Sequence, residues 1–431
     1  MRWILDALYV DLLAAAAPYW LWKVPQARRY RAGLLQRIGL VPAMPKSGRR
    51  LWVHCVSVGE AAIPRTLIEQ FHTRHPGWEV VFSTFTDTGA DRLRSLYPDC
   101  RVFFWPLDLS PCVHETVRRV QPDAVVLVEQ ELWPNFLHEC LCRRVPVAVV
   151  NGRINPRSVR LLRGLSRLCP AVPKAVTLCC ARSETDAARF AEAGLARDRI
   201  FSAGSLKYDA LPAEVAPDKL MALRERFALG PEARVLVAGS THPGEDEMLC
   251  RAYRDLRGKH SDLRLILVPR HIERAAAVAR EVRDAGLPAA RKSDLDSGTA
   301  KPSADDVILV DTIGDLVTCY ALATCAFVGR SLLPPGGGQN MMEPAGLGKP
   351  VIVGPHNSNF APEMELLTSR RAVVIVQDEA GLRGELDRLL SNAQAAGELG
   401  QRARQAVLDS RGATERTLAK LEGMLTTAGL M

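Results

Sequence analysis

At 431 residues and 47.3 kDa, with 47% hydrophobic and 24% charged residues, the chain has a globular composition and the length for two domains of roughly 150–200 residues each. This excludes a disordered tail, a fibrous repeat and a single small module. The formal charge of +8 and pI near 9.0 imply anionic company, and much of the excess follows the first apolar segment, at Lys23, Arg28, Arg29, Arg31 and Arg37. That placement favours a membrane surface over nucleic acid, for which the sequence carries no motif.

In chain order, residues 4–22 are mostly apolar and as a helix would reach roughly 28 Å, near the hydrocarbon thickness of a bilayer. Asp6 and Asp11 interrupt the run, while Tyr9, Tyr19, Trp20 and Trp22 suit the headgroup boundary. A retained anchor with its basic segment is expected over residues 1–34, either spanning the bilayer or lying in its interface.

From residue 51 short β-branched runs alternate with amphipathic stretches, the pattern of a parallel sheet covered on both faces. Strands are expected at 51–58, 79–84, 101–105, 124–128, 145–150, 175–179 and 200–203, with helical segments such as 63–72 and 186–193 between them. The proline-bounded stretch 212–217 reads as a hinge. Strands resume at 235–238, 263–268, 307–310, 325–328, 351–353 and 373–376. The expected fold is therefore α/β: two Rossmann-like doubly wound domains, 35–211 and 218–431, facing a cleft. Residues 292–306 read as a polar surface loop, and 399–425 as a long terminal helix. The eleven cysteines lack metal-ligand spacing and read as buried free thiols without disulfides.

Chemistry-bearing residues cluster at the predicted strand ends. Gly59-Glu60 follows the first strand, where glycine permits close approach of a ligand and a carboxylate can act as a general base; the plain alternative is a glutamate satisfying a helix start. Glu129-Gln130-Glu131 follows the fourth strand, and either carboxylate could raise the other's pKa or orient a lysine such as Lys207. In the second half, Ser240, Thr241, Arg270 and His271 end two strands and suit phosphate or a base edge, and the 311–315 turn with Gly314 completes that wall. The run Gly337-Gly338-Gln339-Asn340 before Glu343 suggests backbone N–H groups aimed at a phosphate, with the acid accepting from sugar hydroxyls. Together these suggest a pocket for a nucleotide-activated sugar. Asp294-Leu295-Asp296 has the spacing of a divalent-ion motif but sits in the polar stretch, so no metal is expected.

Taken in order, Trp52-Val-His-Cys-Val-Ser-Val-Gly-Glu60, Ser83-Thr-Phe-Thr-Asp-Thr-Gly89, Glu129-Gln-Glu-Leu-Trp-Pro134, Asn151-Gly-Arg153, Gly239-Ser-Thr-His242, Val268-Pro-Arg-His271 and the Gly-Gly-Gln-Asn-Met-Met-Glu-Pro344 block resemble the 3-deoxy-D-manno-octulosonic acid (Kdo) transferase family of lipopolysaccharide biosynthesis. The resemblance implies a GT-B fold and transfer of Kdo, or a similar acidic sugar, from CMP-Kdo to a phosphorylated lipid A precursor. It further implies inversion, no metal and no other cofactor, at the cytoplasmic face of the inner membrane. It makes Glu60 the base, with Glu131 and Lys207 supporting it, and assigns Arg270, Gly314, Asn340 and Glu343 to the CMP moiety. The chain departs from the family pattern at Gln339, where histidine is common, and at Arg330, where glycine is common. Two other readings fit the same residues: a GT-B enzyme using another nucleotide sugar, and a non-catalytic lipid-surface relative.

Overall fold

The computed structural model describes residues 6, 7, 9–11 and 33–431. Most of the expected anchor lies outside the described residues. Of it, residues 6–7 and 9–11 are helical. Asp6 accepts hydrogen bonds from Ser110 N at 2.9 Å and Asn135 Nδ2 at 3.0 Å, so a carboxylate that would be costly in lipid has protein partners. No helix among the described residues is long and apolar enough to cross a membrane.

The chain forms two compact units, residues 1–210 with 410–431, and residues 211–409. The first holds a seven-stranded parallel sheet: β1 (Arg49–His54), β2 (Trp78–Thr84), β3 (Arg101–Phe104), β4 (Ala124–Val128), β5 (Val147–Gly152), β6 (Val176–Ala181) and β7 (Ile200–Ser202), in the order β3-β2-β1-β4-β5-β6-β7. β4 is buried at every residue, as expected of a central strand covered on both faces. Trp52, Trp105 and Phe136 pack on one face of the sheet, and Leu51, Phe71 and Phe82 on the other.

The second unit holds β8 (Arg234–Thr241), β9 (Leu263–Pro269), β10 (Ala289–Arg291), β11 (Val307–Leu309), β12 (Cys325–Val328), β13 (Val351–Val353) and β14 (Val374–Ile375), ordered β10-β11-β9-β8-β12-β13-β14 and again parallel. In each sheet the early and late strands lie on opposite sides of one switch point, between β1 and β4 and between β8 and β12, with β11 inserted between β9 and β10 in the second. Loops leaving the carboxyl ends of those strands diverge and open a crevice.

Three expectations need correction. The stretch 292–306 is not all loop: β10 runs into the helix Lys292–Ser297, whose Lys292 pairs with Asp296 at 2.6 Å. The terminal helix is two helices, Ala393–Asp409 and Ala413–Thr427, separated at Gly412, whose φ of 87° no helix interior accommodates. The last of them belongs to the first unit, not to a 218–431 domain. Asp209 accepts from Gly412 N at 2.7 Å and from Thr414 N, Arg416 Nε donates to Ala203 O at 2.9 Å, and Leu418, Leu421 and Leu425 enter the core beside Leu51 and Phe71. All eleven cysteines are free and most are buried.

Gly239 in β8 is demanded by packing. A Cβ there would lie 2.0 Å from the Tyr320 hydroxyl and 2.7 Å from Leu316 Cδ1. Because Tyr320 is fully buried and cannot swing away, Gly239→Ala is expected to lower stability by about 1–3 kcal/mol, read as a lower urea midpoint at unchanged m-value.

Candidate active site

In the first unit the crevice between β1 and β4 is lined by carboxylates. β1 passes through Ser57, in an extended conformation, into the short helix Val58–Ala61. Glu60, in its first turn, reaches back so that Oε2 accepts from Val56 N at 2.9 Å and Oε1 from Ser57 Oγ at 3.1 Å. Both the helix-start and the functional readings therefore apply: the bonds fix the carboxylate in place at the strand end. Burial raises the Glu60 pKa, and the neighbouring Glu129 adds to it, against the Val56 N–H, Ser57 and Lys207. Gly59 has open space on its outer side, since an added Cβ would meet only Ser57 Oγ at 4.0 Å. A ligand can approach the backbone there.

Across the crevice, Glu129 ends β4 with φ 66° and its N–H bonded to Val150 O. Its Oε1 lies 3.5 Å from Lys207 Nζ. The lysine is thus oriented by Glu129, while Glu131 is held elsewhere, by Trp133 Nε1 at 2.8 Å from its Oε2. Burial, reinforced by Glu60 and Glu129, pushes Glu131 up to about 7. Lys207 stands on the helix Leu206–Asp209, started by Asn151, whose Oδ1 accepts from Leu206 N at 3.1 Å, and closed by the Asp209 contacts to residues 412 and 414. The first unit therefore gathers the predicted Gly59, Glu60, Glu131 and Lys207. Of the two carboxylates that could orient Lys207 it is Glu129 that does so, and the unit adds Asn151 and His54, which the sequence reading did not select as site residues. Glu129 stands in the motif already quoted; the left-handed backbone that turns it toward Lys207 leaves no trace in residue type.

The second unit carries the opposite charge. Arg270 and His271 are exposed at the end of β9, and Arg330, with φ 57°, follows β12. Burial lowers the pKa of His242, and Arg330, His271, Arg274 and Arg270 lower it further, which marks a shared positive field around the ends of β8, β9 and β12. Gly314 lies in the loop after β11, beside β9, at φ 101° with no atom within 4 Å of an added Cβ.

Several expected anion-binding groups are already engaged. Thr241 donates its hydroxyl to Asp246, which also pairs with Arg274 at 2.8 Å. Ser240 is buried at φ 55°. Gly337 N donates to His356 O at 3.0 Å and Gly338 N to Arg330 O at 2.8 Å, so these two N–H groups close the loop on itself and do not point at a ligand. The glycines are required for shape: φ values of 113° and 76°, with Asn359 Nδ2 and Asn357 Oδ1 within 2.7 Å of their would-be Cβ atoms. Asn340 Oδ1 accepts from Met342 N at 3.2 Å and its Nδ2 donates to Glu343 Oε1 at 3.0 Å, so the helix start is capped internally. Glu343, raised by burial and opposed by Asn340 and Arg270, faces the same region as the arginine. Gln339 Nε2 approaches His242 Nε2 at 3.5 Å.

The side chain that sequence reading missed here is Glu245. Its carboxylate accepts from the N–H groups of His242, Arg330, Ser331 and Leu332 at 2.7–3.1 Å, an internal anion in a nest of backbone donors. Asp296 is engaged by Lys292 and Arg226, and no cluster of three potential metal ligands occurs among the described residues.

Comparison with known proteins bears on the family and the fold. A family model described as 3-deoxy-D-manno-octulosonic-acid transferase matches residues 32–210. A 3-deoxy-D-manno-octulosonic acid transferase of Haemophilus influenzae is 30% identical over 422 residues, covering 97% of this chain and 95% of the relative. One from Bordetella pertussis is 29% identical, covering 97% and 99%. Among solved structures, a glycosyltransferase from Rickettsia africae superposes with a TM-score of 0.56 at 14% identity, covering 88% of this chain and 99% of that one, and shares the fold.

The Glu131 environment has a consequence for stability. A carboxyl whose folded pKa is raised from 4.5 to about 7 favours the native state fully only below the unfolded value, and that contribution is lost as pH rises through the folded one. Glu131→Gln is therefore expected to match the parent near pH 4 and to exceed it by about 1–3 kcal/mol at pH 8, in urea unfolding at the two pH values.

Proposed function

The chain belongs to the 3-deoxy-D-manno-octulosonic acid transferase family and is a glycosyltransferase; we propose that it transfers Kdo from CMP-Kdo to a phosphorylated lipid A precursor, with inversion and without a metal ion. The observation that carries this reading is the placement of Glu60 at the end of β1, fixed by two hydrogen bonds and opposed across the strand reversal by Glu129 and Lys207.

In the proposed step Glu60 takes the proton of the acceptor hydroxyl as its oxygen attacks the anomeric carbon. The bond from that carbon to the phosphate oxygen breaks on the opposite face, and CMP leaves with the electron pair. A single displacement of this kind inverts the centre. Arg270 and Arg330 are the groups suited to hold the phosphate, as side-chain cations replacing a divalent ion. Glu343, beside Asn340, suits the hydroxyls of the ribose or sugar.

Exposed cations support an anionic lipid acceptor. On the helix Pro156–Leu168, which follows β5 one strand from Glu129, Arg157 and Arg160 are exposed together with Leu161, and Arg153 is exposed in the loop before it. Leu34 and Leu35 are also more than half exposed, and Ile38 is exposed beside them. Arginines beside bare leucines suit phosphate groups at an acyl surface, and with the expected anchor they support a site at the cytoplasmic face of the inner membrane.

Incubation of the purified protein with CMP-Kdo and a lipid A precursor is expected to add Kdo, detected by mass spectrometry. Glu60→Gln is expected to cut the transfer rate by about 10²–10⁴-fold while leaving the CMP-induced thermal shift intact. Near-parental turnover by that variant would remove Glu60 from the mechanism. Arg270→Ala is expected to weaken CMP binding, and a parental protein stabilised by UDP rather than CMP would assign a different donor.

A further inference from the structure

His54 has no part in the step just described, yet its surroundings are closely specified. It is fully buried at the end of β1, stacked on Trp105 with ring centroids 3.8 Å apart and edge-on to Phe85 at 5.5 Å. Nδ1 lies 3.1 Å from the carbonyl oxygen of Ser83 and 2.9 Å from its hydroxyl. A carbonyl oxygen only accepts, so Nδ1 carries a hydrogen. Burial pulls the imidazole down to about 3, so the ring is neutral and Nε2 presents a bare lone pair.

Nε2 is buried and makes no hydrogen bond to any described residue. It faces Glu131 Oε2 at 3.9 Å. A lone pair and an ionised carboxylate repel, whereas a lone pair and a carboxylic acid form a hydrogen bond. Two of the other groups facing Glu131 favour the acid form, Glu60 on the helix after β1 and Glu129 at the end of β4. Trp133, donating to Oε2 from the same loop, opposes it, and Lys207 is drawn to Glu129.

We propose that His54 is a positioning residue that accepts a hydrogen bond from the protonated carboxyl of Glu131 and so holds Glu131 as the neutral member of the carboxylate cluster. The contact closes to hydrogen-bond length by a shift of about 1 Å in the partly exposed Glu131 side chain. With one proton stored there, Glu60 and Glu129 face a single ammonium, and Glu60 stays ionised as a base. The inference deepens the role given to Glu60, but the His54–Glu131 bond is measured without turnover.

Two spectroscopic measurements on the full chain test it. In ¹⁵N-histidine NMR the resonance lost in His54→Phe is expected to show the hydrogen on Nδ1 and a bare Nε2; a hydrogen on Nε2 overturns the proposal, and this arm needs only the parental fold if His54→Gln supplies the assignment. In infrared difference spectra the acid C=O band absent from Glu131→Gln is expected to titrate near pH 7 in the parent and about one pH unit lower in His54→Phe, which keeps the ring on Trp105 but offers no acceptor. The alkaline limb of the kcat profile should move with it, at unchanged KM for the donor. An unmoved or raised Glu131 midpoint overturns the proposal. A lowered midpoint in a protein whose Glu60→Gln variant still turns over supports it and instead discards Glu60 as the base.

Discussion

The crowding of three carboxylates against one ammonium at the carboxyl ends of β1 and β4 is the constraint from which the rest of the first unit can be read. Burial raises the cost of ionising Glu60 and Glu131, Glu129 adds to it for both, and Glu60 adds to it for Glu131. Such an arrangement does not arise for stability; it persists because the backbone around it leaves no cheaper geometry. Glu60 is tied to Val56 N–H, Glu129 is turned by a left-handed residue, and Lys207 is fixed from both ends of its short helix by Asn151 and Asp209. The last helix of the chain returns to the first unit to complete that support.

The second unit solves the complementary problem. Glu245 and Asp246 sit beside the cations proposed to hold a phosphate. Both are consumed: Glu245 by four backbone N–H groups, Asp246 by Thr241 and Arg274. Consuming the acids also consumes the backbone donors, so the positive field comes from the side chains of Arg270 and Arg330. The glycine run serves this by shape, folding 336–338 tightly against 356–359 and delivering Gln339 and Asn340 to the site edge.

How much of this was legible in the sequence depended on the length scale of each signal. The alternation of strands and helices was readable because each strand buries a continuous apolar run, and 351–353 and 325–328 fall where the pattern puts them. β10 was not readable, since Ala289-Ala290-Arg291 is a three-residue edge strand without β-branched side chains. The join between the last two helices hinges on one glycine, and its assignment to the first unit rests on Asp209, far away in sequence. In the candidate site, residue type singled out Glu60, Glu131 and Lys207, which the fold gathers in the first unit, and Arg270 at the end of β9. It could not show that the N–H groups of Gly337 and Gly338 are spent within the loop, because that depends on carbonyls at 330 and 356.

The same electrostatic reasoning accounts for Gln339. An imidazole at that position would stand beside His242, whose pKa burial lowers and Arg330, His271, Arg274 and Arg270 lower further. A second imidazole would meet the same cations, which oppose its charged form. An amide keeps one donor and one acceptor at the contact with His242 and adds no like charge. With Arg330 supplying a cation that cannot titrate in the same region, the positive field there does not depend on a charged residue at position 339.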